Sequence, residues 1–197
     1  IAVDGPAASG KGTIARAVAQ HYGLPHMDTG LLYRAVALKL WRWGGDASNE
    51  FEALRDCDDL GLDPSDEELW SEPVSRIASK VSSYSSVRHA LLQRQRDFAA
   101  QEGGAVLDGR DIGTVIAPDA DAKLFVTASA EVRAQRRVRE LLERGMPAHY
   151  EDVLLDIRAR DERDATRAIA PLRQAVDADL LDTSDLDVDQ AIAEASR

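Results

Sequence analysis

The run Gly5-Pro6-Ala7-Ala8-Ser9-Gly10-Lys11-Gly12-Thr13 combines small residues, one amine and one hydroxyl at a spacing that suits phosphate. Glycines let the backbone curl so that successive N–H groups face inward, where they can hold anionic oxygens. Lys11 adds a mobile positive charge for terminal phosphates, and a following helix adds its positive end. Gly5-x4-Gly10-Lys11 is the Walker A pattern, in its required setting between an apolar strand and a helix. The usual hydroxyl directly after the lysine is displaced by one place: Gly12 stands there and Thr13 follows. Thr13 is therefore the candidate hydroxyl for phosphate-bound Mg²⁺, directly or through water.

Three further segments carry charges suited to anions. Asp28-Thr29-Gly30-Leu31-Leu32-Tyr33-Arg34 and Asp108-Gly109-Arg110-Asp111-Ile112-Gly113-Thr114 each follow a short apolar run. Ligands of open α/β sheets bind at such strand ends. In Arg160-Asp161-Glu162-Arg163-Asp164-Ala165-Thr166-Arg167, the spacing puts Arg160, Asp164 and Arg167 on one face of a helix. An ordinary i,i+4 ion pair is the alternative for Arg160 and Asp164. Arg133, Arg136, Arg137, Arg139 and Arg144 can equally be a solvated face that pairs with Glu140 and Glu143. Tyr33, Trp41 and Trp43 read as packing residues. His21, His26, His89 and His149 show no ligand spacing.

These segments need elements to hold them. Short apolar strands are expected at about residues 1–4, 24–29, 105–107, 122–126 and 178–182. The first is already under way at Ile1 and is expected to extend upstream. Helices are expected after the glycine loop, from Leu31 to the Gly44-Gly45 stop, over about 73–83 and 85–101, from a Ser129 cap to about Arg144, over about 151–168, and around Val188 to Ile192. The acidic segment 48–72 reads as solvated helix faces and loops. Strands alternating with amphipathic helices predict an α/β doubly wound parallel sheet of about five strands, covered on both faces. Residues 46–102, too long for one crossover, are expected to form an embedded insert, and 133–167 a lid region, within a single domain spanning 1–197.

Composition narrows the partners. The chain has 197 residues, 44 % hydrophobic and 30 % charged, which fits an ordinary globular protein rather than a disordered one. Its net charge of −11 argues against a nucleic-acid polymer, which calls for a basic surface. A small phosphate ligand is still allowed, since a local cluster can oppose the global sign. Of the 24 basic residues only Lys11, Lys39, Lys80 and Lys123 are lysines. The rest are arginines, whose planar fork suits phosphate, although composition bias would give the same total. No apolar run is long enough for a membrane span, and no signal-peptide pattern opens the chain. The lone Cys57 rules out an internal disulfide and fits a reducing cytoplasm.

At these motifs the chain resembles the bacterial cytidylate kinases, within the nucleoside monophosphate kinases. The resemblance runs from the glycine loop to about Asp182 and includes Ala170-Pro171-Leu172. It implies a P-loop fold and transfer of the ATP γ-phosphoryl group to CMP or dCMP, by a monomer with Mg²⁺. It further implies that residues Gly5 to Thr13 hold ATP phosphates, with Arg133 and Arg137 as lid-side helpers. Arg34, Arg110 and Arg167 would meet the acceptor and transferring phosphates, with Lys11, Arg110 and Arg167 carrying the catalytic charge. Ser79, Arg88 and Asp111 would read the cytosine ring, Arg160 and Asp164 would hold the sugar hydroxyl, and Thr29 falls at a position that is often Ser or Thr. Many members have a longer segment where residues 60–74 stand here, often with a small antiparallel element. The alternatives are a P-loop kinase for another small acceptor, with Asp28 as its base, and an idle nucleotide-binding module. The intact Lys11 and arginine set speak against the second.

Overall fold

The computed structural model describes all residues from Ile1 to Arg197. Five parallel strands form one sheet: β1 (Ala2–Asp4), β2 (His26–Asp28), β3 (Val106–Gly109), β4 (Lys123–Thr127) and β5 (Asp179–Asp182), in the order β2-β3-β1-β4-β5. Side chains alternate across the pleat, so Ala2 and Val3 enter different cores. Val3 packs with Ile14, Val18, Val126 and Leu181, whereas Ala2 packs with Leu107, Ile112 and Ile116. Both faces are therefore covered, as an all-parallel sheet requires.

From β1 the chain passes through α1 (Lys11–Tyr22) to β2, on one side. From β3 it returns through a five-residue π-turn (Ile112–Ile116) to β4, on the other side. The connections leaving the adjacent strands β1 and β3 thus diverge, and this opens a crevice at their carboxyl ends. Asp28, Asp108 and the glycine loop all sit on that edge.

Between β2 and β3 run α2 (Gly30–Trp43), α3 (Glu50–Arg55), a 3-10 turn (Glu67–Trp70), α4 (Glu72–Val81) and α5 (Ser85–Ala99). Leu32, Val36 and Leu40 of α2 pack with Leu69, Val74, Val81, Val87 and Leu91, which gives this segment a core of its own. Ser71 starts α4 by accepting from the Val74 N–H, with Pro73 in the first turn. The acidic stretch is held in turns by Asn49 and Asp66 caps, and no antiparallel element forms in it.

After β4 come α6 (Ala130–Glu143), capped by Ser129, and α7 (Tyr150–Thr166), with α8 (Val188–Ala195) following β5. One expectation fails here. Helix α7 stops at Thr166, and Arg167 has φ −59 and ψ 141, so it lies beyond the helical face shared by Arg160 and Asp164. Pro171 cannot continue a helix. The chain instead reverses through Ala170, which takes a left-handed φ of 49, and the Leu172 N–H returns to the Asp164 carbonyl at 2.7 Å.

Candidate active site

The glycine loop runs from β1 into α1 under tight steric limits. A Cβ on Gly5 would lie 2.0 Å from the Val126 carbonyl oxygen, so only glycine fits there. Ala8 and Gly10 both take left-handed φ, 58 and 88. Strain of this kind at Ala8 costs on the order of 1 kcal/mol and persists only where the surroundings impose it. No side chain caps α1, and its first turn has no acidic residue. The Lys11 and Gly12 N–H groups at the helix start thus lack a protein partner, which makes an anion site.

The crevice is a cleft of roughly 520 Å³, lined on one side by Ala7, Ala8 and Gly10 to Thr13, and on the others by Arg34, Trp70, Ser75, Ser79, Arg110, Arg137 and Arg160. Each arginine is aimed by a neighbour. Arg34, on α2, donates to the Leu69 carbonyl at 3.0 Å and to Ser75 Oγ at 3.2 Å. Arg160 donates to the same Ser75 Oγ at 3.2 Å. Arg110, just after β3, donates to Asp164 Oδ2 at 2.9 Å. Arg137 pairs with Glu72 and Glu140.

Crowded, desolvated cations lose affinity for their protons. Burial, then the Arg110 guanidinium, bring Lys11 down to about 8, while Asp108 and Asp28 pull the other way. Burial followed by Arg110 lowers Arg160 to about 9, and burial followed by Arg137 lowers Arg34 to about 10. Burial would raise Asp164, but Arg110, Arg160 and Arg167 together hold it below the usual carboxylate range. Arg160 Nε and Arg167 Nη2 are buried without a hydrogen-bond partner. A concentration of positive charge with unspent donors is a site built for anions.

Behind the cleft wall sits a second cluster. Asp111 pairs with Arg88, and Arg167 Nη2 lies 3.9 Å from its other oxygen. All three are nearly sealed from solvent, so Arg88, Asp111 and Arg167 do not line the open cleft. A buried carboxylate needs paired cations, and this arrangement supplies them. Thr29 is likewise buried; its hydroxyl donates to the Asp108 carbonyl at 2.8 Å, while the Asp28 carboxylate accepts the Gly30 N–H. Ser79 faces the cleft and accepts weakly from Arg163 at 3.4 Å.

Arg133 stands outside the cleft. Its guanidinium grips Asp161 with two bonds of 2.9 and 2.6 Å and donates to the Ala7 carbonyl at 3.2 Å. It therefore braces the outer side of the glycine loop. Arg136 does the same at Ser9 and Thr183.

Sequence reasoning named Asp28 and Asp108 but passed over other neighbours of the site. His26 Nε2 lies 2.7 Å from Asp108 Oδ2, and the other Asp108 oxygen lies 3.9 Å from Lys11 Nζ. The two-residue spacing of His26 and Asp28 on one strand face was the available signal. Asp28 stands directly across from Asp108, and burial together with that like charge raises it. Arg16, Arg163 and Trp70 also line the cleft.

Comparison with known proteins identifies this arrangement. The family model for cytidylate kinase matches residues 1–197. The chain belongs to the cytidylate kinase family. The cytidylate kinase of Xanthobacter autotrophicus is 61 % identical over 197 residues, spanning 99 % of this chain and 94 % of its own length. That of Methylocella silvestris is 56 % identical over 196 residues, spanning 99 % and 91 %. A solved structure of an uncharacterized protein from Eubacterium ventriosum shares the fold, with a TM-score of 0.58 at 15 % identity over 98 % of this chain and 92 % of that one. As a member of this family, the chain acts on nucleotides and uses ATP as co-substrate. No helix is long and apolar enough to cross a membrane.

Proposed function

We propose that the cleft carries out direct, in-line transfer of the ATP γ-phosphoryl group to CMP or dCMP, giving ADP and CDP or dCDP. Family membership makes the chain an ATP-dependent kinase of CMP or dCMP. The observation that carries the residue-level reading is the convergence of Lys11, Arg34, Arg110 and Arg160 on one cleft beside an uncapped helix start.

The acceptor brings its own nucleophile. A phosphate monoester has a second pKa near ~6, so its oxygen is largely ionised at neutral pH. No general base is needed, and the alternative acceptor with Asp28 as base has no support. The task is to bring two anions together. Backbone N–H groups of residues 5–13 and Lys11 hold the donor phosphates. Arg34, Arg110 and Arg160 face the acceptor side, and Arg167 joins when the inner cluster opens toward the ligand. Fixed positive groups of this kind stabilise charge in the transition state without reorganising.

Mg²⁺ suits the donor set. No group of three or more His, Cys, Asp or Glu side chains is arranged to hold a metal ion by itself. Mg²⁺ keeps mostly water and phosphate oxygens and needs few protein ligands. Thr13 is the residue to hold it; when bound it would neutralise phosphate charge.

Ser79 reads the base from the cleft wall, and Asp111 and Arg88 join it when the inner cluster opens toward the ligand. Cytosine N4 is a donor where uracil has an acceptor. The Asp111 carboxylate can accept from N4 but faces a second acceptor in uracil, and such a mismatch rejects an analogue strongly. Asp164 and Arg160 hold the sugar. Arg137 acts from the lid, and Arg133 by bracing the loop. The insert 46–102 and the lid 133–167 close over the nucleotides and exclude water. In this reading the working unit is a monomer. A cytoplasmic setting agrees with the free, buried Cys57 thiol.

A coupled ADP-release assay with CMP, dCMP, UMP and AMP tests this reading. CMP and dCMP should be turned over fastest; faster turnover of UMP or AMP would overturn the base assignment.

A further inference from the structure

Asp4 ends β1, one residue before the glycine loop, and has no part in the chemistry above. Its carboxylate is only 5 % exposed. Oδ1 accepts the Ile112 N–H at 2.8 Å and Oδ2 accepts the Gly113 N–H at 2.8 Å. These are the two N–H groups immediately after Asp111, at the start of the π-turn, which has no cap from Asp111 itself. Asp4 therefore caps that turn from a distant point in the sequence. The turn closes through Val115 and Ile116 N–H bonds to the Asp111 carbonyl. Holding it fixes the direction in which Asp111 meets Arg88 and Arg167, and in which Arg110 meets Asp164.

The groups around Asp4 leave the carboxylate dependent on those two bonds. Arg110 and Asp111 act on it with opposite signs. From β4, the Lys123 stem packs against Gly113, but its ammonium turns away to Asp177 at 2.7 Å. Beside it, β3 presents only Gly109.

We propose that Asp4 is a positioning residue for base discrimination, and that its ionised carboxylate holds the Asp111 turn in the geometry that tells cytosine from uracil. Once protonated, one oxygen becomes a donor facing an N–H, and one of the two bonds is lost. Burial raises Asp4 to about 6, against the N–H bonds that favour ionisation. Discrimination should therefore weaken under mildly acidic conditions. The inference rests on Asp111 as a base-reading residue, and its test separates the two.

The measurement is the ratio of kcat/KM for CMP to that for UMP, from about pH 8 to about pH 5.5. Phosphate titration near ~6 is common to both acceptors and cancels in the ratio. The wild-type ratio should fall at least about threefold on acidification. Asp4→Asn, which mimics the protonated acid, should lower the ratio about tenfold at neutral pH, the size of one hydrogen bond to a charged group. Its ratio should be flat with pH, and its KM for ATP should stay within about twofold. Asp111→Asn should lose the ratio at every pH; if it keeps the ratio, the base-reading assignment fails. If Asp111→Asn loses it while the wild-type ratio stays flat, or Asp4→Asn titrates like the wild type, the inference about Asp4 is overturned. Should Asp4→Asn not fold, the wild-type pH series alone decides.

Discussion

Arg110 Nε donates to Asp164 Oδ2 at 2.9 Å, tying the loop after β3 to the last turns of α7. The pair is largely buried, and Arg160 also lies in its field. Removing the carboxylate leaves two desolvated cations without its counter-charge, a change that typically costs about 3–5 kcal/mol. Asp164→Ala is therefore expected to lower both stability and kcat/KM for CMP and dCMP, the latter by about a hundredfold. Denaturant unfolding and steady-state kinetics check it; full activity in that variant removes Asp164 from the sugar site.

Lys11 titrates at about 8 because burial and Arg110 disfavour its charged form. The amine binds phosphate only when protonated, so its contribution is complete below that value and is lost as pH rises through it. In the free enzyme kcat/KM for ATP should fall above about pH 8. Lys11→Met should remove that limb and lower kcat by about a hundredfold or more. A profile level up to about pH 9.5 would contradict this.

Arg167 carries a buried Nη2 without a hydrogen-bond partner, beside Asp111. In the proposed mechanism its charge acts at transfer rather than in donor capture. Arg167→Ala should cost kcat by about a hundredfold and leave KM for ATP within about threefold. Unchanged turnover removes it from the role.

Trp70 lies within cation–π reach of two guanidinium groups, 5.4 Å from Arg34 and 5.5 Å from Arg144. It thereby joins the 3-10 turn of the insert to the end of α6. A cation–π contact of this exposure is worth about 0.5–1 kcal/mol. Trp70→Ala should raise KM for CMP about threefold with little effect on KM for ATP, and Trp70→Phe should recover most of the loss. An equal rise in both constants would show that Trp70 only maintains the fold.

Much of the fold was legible because its signals are local. Apolar strands, Gly44 and Ser129 mark where elements start and stop, and the observed bounds lie within a few residues of the expected ones. The departure of Arg167 from the helical face of Arg160 and Asp164 was missed because it depends on a reversal through Ala170 that no periodicity reveals. The glycine loop and Arg34, Arg110 and Arg160 of the cleft were legible as motifs. Trp70, His26 and Asp4 were not, since each matters through a partner far along the chain: Arg34 and Arg144, Asp108, and the Ile112–Gly113 N–H groups. Arg133 and Arg137, one helical turn apart, were read alike, yet only Arg137 faces the cleft. Arg133 turns to Asp161 and Ala7 because α7 packs against that side of α6.

The carbonyls of Ala7 and Ser9 are held from outside the loop, by Arg133 and by the Thr183 hydroxyl and Arg136. With its oxygens anchored outward, the peptide chain has little freedom left to rearrange when a polyphosphate arrives. The entropy of shaping that socket is met during folding, so donor capture should be quick and closure should be reserved for the partner that accepts the phosphoryl group.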